Sequence, residues 1–561
     1  MRSYVRAAWA PLTMAVAALL AMRCGNTYPG SPDGGLDGGD GNAADAVNPF
    51  SDAPSTFSDF PQAPLIDPSL PGDIATQFGS PDAGSGGAPC VSEPPDDAMI
   101  PRNWTPLFME YASPNANVFE IRLTVDNQVN PFVAYVPTTT FTMDQSIWKL
   151  LASHSAGHDI DIAVRAGQLQ NGKLVGPPTA PSASVAHIAP VDAPGSVVYW
   201  ASSPSTAFKG FTVGDMTSKT VLTPATASPA SAGDGTTNCI ACHTSSPDGK
   251  LIIYTRDATN GSRAIDVRTV VGASTPAATD VSPSALALLG RDHQGRPLLN
   301  ANHYSASDAV ALSVMYNPTA LGSSNYELVW TDLHDTSGSG SGVVARTGDP
   351  RVGISSPSWR HDGTAVAYVS SDSSGEAVIA NGAMDIYTVP YNNHQGGAAT
   401  PLPGASDPNW HEFYPEYSPD DTLLAFNRTD SSPPNSYNQP AAELFIVPGA
   451  GGSAQRLRAN DPPVCTTLKS PGLTNAWPRW APKGQPSGSL KYYWIIFSSK
   501  RRPATGLNPQ LYVAAIVTKM QNNTETIYAD YPAVYVLAQD PASNNHTPAW
   551  DVFDVQGIPP N

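Results

Sequence analysis

Charged side chains are scarce in this chain of 561 residues, because Lys, Arg, Asp and Glu together make up only 14% of it. Positive charge is the rarer sign: 30 Lys and Arg stand against 48 Asp and Glu, a formal net charge of −18. Such a chain repels phosphate backbones and anionic lipid surfaces, so no nucleic-acid partner is expected. The sequence also lacks a Gly-x-Ser-x-Gly elbow, a His-Glu-x-x-His motif and a P-loop. Whether the protein is an enzyme stays open, with a non-enzymatic role favoured.

Long helices are a second feature that the composition disfavours. The chain holds 56 Pro and 46 Gly, and proline breaks helices while glycine weakens them. The expected fold class is therefore all-β, with many turns.

Only one long apolar run is present, and it lies at the N-terminus. It extends from Ala7 to Met22 and follows Arg2 and Arg6, which is the pattern of an export signal over residues 1–23. Cys24 then stands where a bacterial lipoprotein carries its lipid, although the preceding Arg23 fits that motif poorly. Export to the periplasm or cell envelope, with or without a lipid anchor on Cys24, is the expected localisation.

Residues 24–98 are rich in Gly, Asp, Pro and Ser and contain no Lys or Arg. A segment of this composition buries too little apolar surface to offset its ordering entropy. We predict a disordered acidic tether.

The next segment, 99–170, changes to alternating apolar and polar residues, as in VFEIRLTV (118–125) and DIDIAVRAG (159–167). Alternation of this kind is typical of strands with one buried face. It predicts a small β-sandwich similar to a fibronectin type III or immunoglobulin-like module. A β-rich extension packed on the main domain is the alternative.

Beyond this module the chain repeats itself. A turn followed by an alternating strand occurs in SSPDGKLIIYTRD (245–257), WRHDGTAVAYVSSD (359–372), YSPDDTLLAFNRTD (417–430) and, with a longer turn, WAPKGQPSGSLKYYWIIFSSKR (480–501). A Pro-x-aromatic strand end precedes three of these turns, in SPSW (356–359), YPEY (414–417) and WPRW (477–480). The spacing fits one propeller blade per copy and six blades over residues 185–555. TPAWDVF (547–553) matches the same pattern, and we expect it to pair with Ser196–Ser202 and close the first blade.

These repeats resemble the TolB-type, WD40-like propeller repeat (PD40), over about residues 187–553. The resemblance implies a six-bladed propeller of the bacterial envelope that serves as a docking surface. It implies no activity and no active site, because the repeat motif is a folding signature.

One motif stands apart from the repeats: the Cys-x-x-Cys-His of residues 239–243. In c-type cytochromes such cysteines form thioethers with haem and the histidine binds the iron. The motif predicts haem c on Cys239 and Cys242, with His243 as proximal ligand. Alignment of the repeats places His243 in a loop at the mouth of the channel, with His546 as the distal ligand and His411 as the second choice.

Two other interpretations of this motif stay open. Cys239, Cys242 and His243 could hold zinc with one further ligand, or the two thiols could form a local disulfide or a redox-active pair. Cys90 and Cys465 remain, and an oxidising compartment would let them pair; two separate buried thiols are the alternative.

Three functions follow from these features. The first is electron transfer or redox sensing by an envelope propeller that carries haem c, with an unidentified redox partner. The second is a non-redox propeller that binds a protein or ligand in the envelope. The third is a haem-dependent oxidoreductase.

Overall fold

A computed structural model describes residues 56–227, 236–259, 262–270, 281–375, 377–430, 435–502, 508–522 and 524–555. The predicted export signal, Cys24 and residues 25–55 of the predicted tether lie outside these ranges. No helix in the described ranges is both long and apolar enough to cross a membrane.

The first part of the described chain is a module of two β-sheets and two helices. Its six-stranded sheet has the order β1-β6-β5-β8-β11-β3 and its three-stranded sheet the order β2-β4-β7, while β9 and β10 form a hairpin. The strands are β1 (Leu65–Ile66), β2 (Cys90–Glu93), β3 (Ala98–Ile100), β4 (Phe108–Ala112), β5 (Val118–Thr124), β6 (Phe132–Val136), β7 (Thr140–Thr142), β8 (Asp159–Gly167), β9 (Leu169–Gln170), β10 (Lys173–Leu174) and β11 (Ser184–Ile188). The helices are α1 (Ile74–Phe78) and α2 (Gln145–His154).

This module differs from the predicted sandwich in extent and in topology. It begins well before residue 99, so the prediction of a disordered tether is wrong for residues 56–98. Phe60, Ile74 and Phe78 are buried there, and these few apolar side chains suffice because they pack onto the strands of the module. The parallel pairs β1–β6 and β3–β11, together with α2, also separate the module from an immunoglobulin-like sandwich.

The second part is the predicted six-bladed propeller, with four-stranded antiparallel blades as its basic unit. Blade 1 holds β12 (Ser196–Ala201), β13 (Ala207–Thr212), β14 (Lys219–Leu222) and the C-terminal β37 (Asn545–Asp551); blade 2 holds β15 (Thr237–Ser245), β16 (Leu251–Ala258) and β17 (Arg263–Thr269); blade 3 holds β18 (Gln294–Ser305), β19 (Asp308–Tyr316), β20 (Tyr326–Asp332) and β21 (Ser341–Thr347). Blade 4 holds β22 (Gly353–Trp359), β23 (Ala365–Gly375), β24 (Ile379–Pro390) and β26 (Thr400–Pro401), and β25 (Gly396–Ala398) pairs back to β21. Blade 5 holds β27 (Trp410–Tyr417), β28 (Leu423–Asp430), β29 (Glu443–Pro448) and β30 (Gln455–Arg456); blade 6 holds β31 (Ala476–Trp480), β32 (Gln485–Ser487), β33 (Leu490–Ser499), β34 (Gln510–Gln521), β35 (Thr524–Asp530) and β36 (Val534–Tyr535).

Short helices complete the connections between the blades. They are α3 (Pro224–Ala227), α4 (Pro283–Leu289) and two single 3₁₀ turns at Thr319–Leu321 and Arg458–Asn460. Ser282 caps α4, because its hydroxyl accepts the Ala285 N–H at 2.9 Å.

The two ends of the propeller meet in blade 1, as the repeats predict. β37 pairs antiparallel with β12, and Val197 stands opposite Trp550. The C-terminal segment therefore supplies the innermost strand of the first blade, which removes two exposed sheet edges.

The N-terminal module packs on blades 1 and 6 through a continuous apolar core. Trp104 and Trp148 of the module share this core with Phe211, Trp494 and Trp550 of the propeller. The disulfide expected from the sequence joins Cys90 of the module to Cys465 of the segment between blades 5 and 6. An ion pair of 2.6 Å between Asp97 and Arg458 adds a polar contact across the same boundary.

Candidate functional site in the axial channel

Every inner strand of the propeller carries a β-bulge at the equivalent position, and together these six bulges form a ring around the axis; β15 and β18 each have one further register shift. At each bulge the register to the next strand shifts, and one residue that is not glycine takes a positive φ. A bulge changes the direction of the local side chains and bends the strand. Each blade therefore has one side chain in the ring whose direction departs from the regular alternation of the strand. The six are Cys242, Arg296, Ser356, Tyr414, Trp477 and Thr547, with φ between 37° and 64°.

Five of these bulge residues are followed by proline, namely Pro297, Pro357, Pro415, Pro478 and Pro548. Blade 2 is the exception, because His243 follows Cys242. The Cys-x-x-Cys-His motif thus replaces a repeated structural element of the propeller, and it does so on the channel wall.

Side chains of the ring contact each other between neighbouring blades and across the channel. Tyr414 of blade 5 stacks on Trp477 of blade 6, with ring centroids 3.6 Å apart, and Cys242 of blade 2 belongs to the same buried cluster. The Arg296 guanidinium of blade 3 lies 3.9 Å from the Glu416 carboxylate of blade 5. Since blade 4 stands between blades 3 and 5, this ion pair can form only across the channel.

A cavity of about 260 Å³ opens at the end of the channel where the inner strands finish. Each of the six blades contributes residues to its wall. Four aromatic side chains stand on this wall, Trp359, Tyr417, Trp480 and Trp550.

The ionisable groups of this cavity, besides one tyrosine, are two carboxylates and an imidazole. Burial raises the pKa of Asp551, against hydrogen bonds from Ser245 that lower it. Burial alone would lower the pKa of His361, but the hydrogen bond and charge of Asp421 raise it. Glu416 accepts a hydrogen bond from the Arg479 guanidinium. The cavity can therefore offer aromatic faces together with hydrogen-bonding groups of both kinds.

The structure places Cys239, Cys242 and His243 inside β15 and not in a loop at its entrance, so that part of the prediction is wrong. The reason is that the inner strand of blade 2 begins at Thr237, before the motif. Cys239 stands opposite Asp257 of β16, and Cys242 is the bulge residue. Both carry thiols.

His243 is buried between blades 1 and 2, with 4% of its surface exposed. Its Nε2 lies 3.0 Å from the carbonyl oxygen of Val198, and its ring lies 4.3 Å from the ring of Phe208 and 6.1 Å from that of Phe553. Burial lowers the pKa of His243 to about 3, so the ring is neutral and Nε2 donates its proton to Val198.

This arrangement does not fit a haem held by the motif. The nitrogen that would bind iron is hydrogen-bonded to Val198, and the ring is enclosed by aromatic side chains. Residues 239–243 also lie within β15, with a bulge at Cys242, whereas the haem motif needs both sulfurs and the imidazole on one turn. Cys239 and Cys242 are not joined to each other by a disulfide in this structure.

His546 and His411 lie on other inner strands. His546 is in β37, and its ring packs against Trp200 of blade 1 and Tyr437 of blade 5, with centroids 5.9 and 6.4 Å away. Burial lowers its pKa to about 4. His411 is in β27, opposite Thr429. In the described part of the chain no three His, Cys, Asp or Glu side chains come together as a metal site, which also leaves the zinc interpretation without a further ligand.

The polar centre of the channel was missed by the sequence reasoning. Arg296 lies in a degenerate repeat, RPLL (296–299), where no aromatic residue marks the strand end. The signal that could have found it is Arg-Pro at the position where the other repeats read Ser-Pro, Tyr-Pro or Trp-Pro. The dipeptide predicts the bulge, and arginine there predicts a charge on the axis.

Solved structures with similar folds include propellers of several kinds. TolB from Acinetobacter baumannii is 14% identical over 73% of this chain and 85% of its own, with a TM-score of 0.36. A TolB protein of Agrobacterium tumefaciens is 14% identical over 63% and 95%, with a TM-score of 0.31. The WD40 domain of Toxoplasma gondii coronin is 7% identical over 67% and 68%, with a TM-score of 0.28. No family model matches the chain, and no curated protein matches it.

Proposed function

We propose that the protein is a non-enzymatic binding propeller of the cell envelope that takes its ligand into the axial cavity. One observation carries the proposal: strand ends from all six blades converge on a single concave site with aromatic walls and polar groups. Concave sites with apolar walls and a few placed polar groups are the usual form of ligand pockets.

The wall is built to present ring faces. The indole N–H of Trp359 donates to Gly363, that of Trp480 to Glu416 and that of Trp550 to Pro194, each to a backbone oxygen. These bonds fix the rings and use their only donors. Each indole is 4–5% exposed, so the part of a ring that reaches the cavity is apolar. Hydrogen bonds to the ligand would then come from Asp551, His361 and Glu416.

Export supports the envelope location. Residues 1–23 have the pattern of an export signal, and the disulfide between Cys90 and Cys465 suits an oxidising compartment. A lipid anchor on Cys24 stays a prediction.

Haem c on Cys239 and Cys242, and with it electron transfer, also stays a prediction. The contacts of His243 do not favour it, for the reasons given above. Ligand binding in the axial cavity is compatible with the contacts that His243 makes in this structure.

A plugged cavity tests the proposal. Ala301 is exposed and lines the cavity, so Ala301→Phe fills it, while Ala306→Phe adds the same ring to an exposed turn of the same blade as the matched control. Tryptophan emission is recorded while sugars, amino acids and carboxylic acids are titrated. We expect saturable binding of at least one of these classes in the wild type and the control, and its loss in the plugged variant. Binding that the plug leaves unchanged would contradict the proposal.

A further inference from the structure

We propose that the channel beneath the axial cavity contains a carboxylate-binding site in which Arg296 takes the anionic group of the ligand. The inference deepens the proposed function, on which it rests for the entry of the ligand through the cavity. It adds the class of ligand: a compound or peptide end with a carboxylate.

The first observation is the state of the Arg296 side chain. It is 6% exposed, and its guanidinium donates no hydrogen bond to any residue in the described ranges. Its only ion pair there is the 3.9 Å approach to Glu416, and the side chains of Cys242 and Tyr414 also interact with its charge. Its Nε is fully enclosed and unpartnered. A guanidinium has five donors, and buried donors are nearly always satisfied. This side chain therefore lacks a partner that fits inside the channel.

The backbone of Arg296 explains why the side chain stays there. Its N–H donates to the Thr255 hydroxyl at 3.0 Å. Thr255 lies in the neighbouring blade 2, where it pairs with Ala241. The positive φ of 53° at the bulge then aims the side chain to the axis. The position is fixed by blades 2 and 3, and the direction by the bulge.

The second observation is the balance of charge. Arg296 and Arg479 both approach Glu416, and in the described part of the chain neither enters an ion pair with another carboxylate. Two guanidiniums and one carboxylate leave one positive charge in a buried place. Burial lowers the pKa of Arg296 to about 10, so the group is still charged near neutral pH. A buried charge of this kind calls for a counter-charge.

The geometry of the donors favours a carboxylate. The planar fork of a guanidinium binds the two oxygens of a carboxylate together. Thr547, another member of the ring of bulges, has a buried hydroxyl with no partner among the described residues and can give a further hydrogen bond. Glu416 links the site to the cavity above, because it contacts Arg296 and also lines the cavity wall.

Acetate tests the site, with acetamide as its neutral counterpart of equal shape. Thermal melting of the full chain is followed in rising acetate at constant ionic strength. We expect a saturable rise of the melting temperature with acetate and none with acetamide. Arg296→Met should lose the rise, and Arg296→Lys should weaken binding by about 10- to 100-fold because the fork is lost. Arg102→Met, which removes an exposed arginine paired with Asp192, should behave as the wild type.

Several results would overturn the proposal. Equal effects of acetate and acetamide would mean that charge is not recognised, and no effect of acetate would mean that a bound water satisfies Arg296. Failure of Arg296→Met to fold would show that the protein itself compensates the charge, since removal of an uncompensated charge should not destabilise the fold.

Two further arms identify the source of the carboxylate and separate this site from the proposed function. A short peptide is compared with its C-terminal amide: tighter binding of the free acid than of acetate indicates a peptide end, and acetate binding without any peptide binding indicates a small acid. Acetate binding that persists in Ala301→Phe would leave the carboxylate site intact and refute entry through the cavity.

Discussion

The indole rings of Trp550 and Trp104 lie 5.8 Å apart, so the last strand of the propeller packs directly on the N-terminal module. Trp550 is 4% exposed and also donates to the Pro194 carbonyl at 2.8 Å. The closure of blade 1 and the packing of the N-terminal module on the propeller therefore both depend on Trp550.

Trp550→Ala should destabilise the protein by about 3–5 kcal/mol, the usual cost of removing a buried tryptophan. Truncation after Gln539 should abolish soluble folding, because it removes β37 and exposes the edge of β12. Chemical unfolding followed by circular dichroism measures the first effect. Val552→Ala is the matched control, since Val552 follows the same strand and is 45% exposed. A truncated protein that melts like the wild type would refute closure by β37.

Glu93 should make the fold less stable in alkali. Burial raises the pKa of Glu93 from 4.5 to about 8, although a hydrogen bond from Tyr535 N–H and the charges of Arg501 and Arg502 oppose the rise. A raised pKa means that the native state holds the proton more tightly. The stability that this proton gives is complete below about pH 4.5 and is lost as the pH rises through 8.

Unfolding free energies measured between pH 5 and 9 should therefore fall less steeply in Glu93→Gln than in the wild type, by at most ~1.4 kcal/mol per pH unit. Asp192→Asn, at an exposed ion pair, serves as the control with an unchanged slope. Equal slopes for wild type and Glu93→Gln would show that Glu93 is ionised in the native protein.

Loss of the disulfide between Cys90 and Cys465 should cost about 2–5 kcal/mol, because the bond closes a very long loop in the unfolded chain. The sequence separation is 375 residues. Cys90→Ser and the double variant with Cys465→Ser should unfold at lower denaturant concentration than the oxidised wild type, and reductant should lower the midpoint only in the wild type. A midpoint that reductant leaves unchanged in the wild type would contradict the bond.

The haem hypothesis has a direct check. Covalent haem survives denaturation, so a haem-stained denaturing gel of protein produced with a cytochrome c maturation system decides it. The contacts of His243 predict no stained band. A stained band that disappears in Cys239→Ala with Cys242→Ala would instead establish attachment and require β15 to rearrange.

The repeats made the propeller predictable because each blade repeats one physical unit. A turn with Asp-Gly or its equivalent, an alternating strand and a Pro-x-aromatic end recur at blade spacing, and TPAW at the C-terminus marks the closing strand. The N-terminal module was harder, since residues 56–98 are low in complexity. Phe60, Ile74 and Phe78 become ordered only through contacts distant in sequence.

The site was less predictable for a related reason. In the helical c-type cytochromes, Cys-x-x-Cys-His indicates covalent haem. Nothing in the neighbouring residues shows that the motif lies in a β-strand here. Arg296 and Glu416 stand far apart in the chain, two blades from each other. Their meeting depends on the closed ring, which no pattern along one strand reveals.

A crystal soaked in 4-bromobenzoate gives the most direct measurement of where ligands bind, since bromine is located by its anomalous scattering. We expect a bromine peak in the axial cavity between Trp359, Trp480 and Trp550, with the carboxylate toward Arg296, and no such peak in Arg296→Met. A bromine found only on the outer surface of the blades, or a peak that Arg296→Met leaves in place, would contradict this expectation.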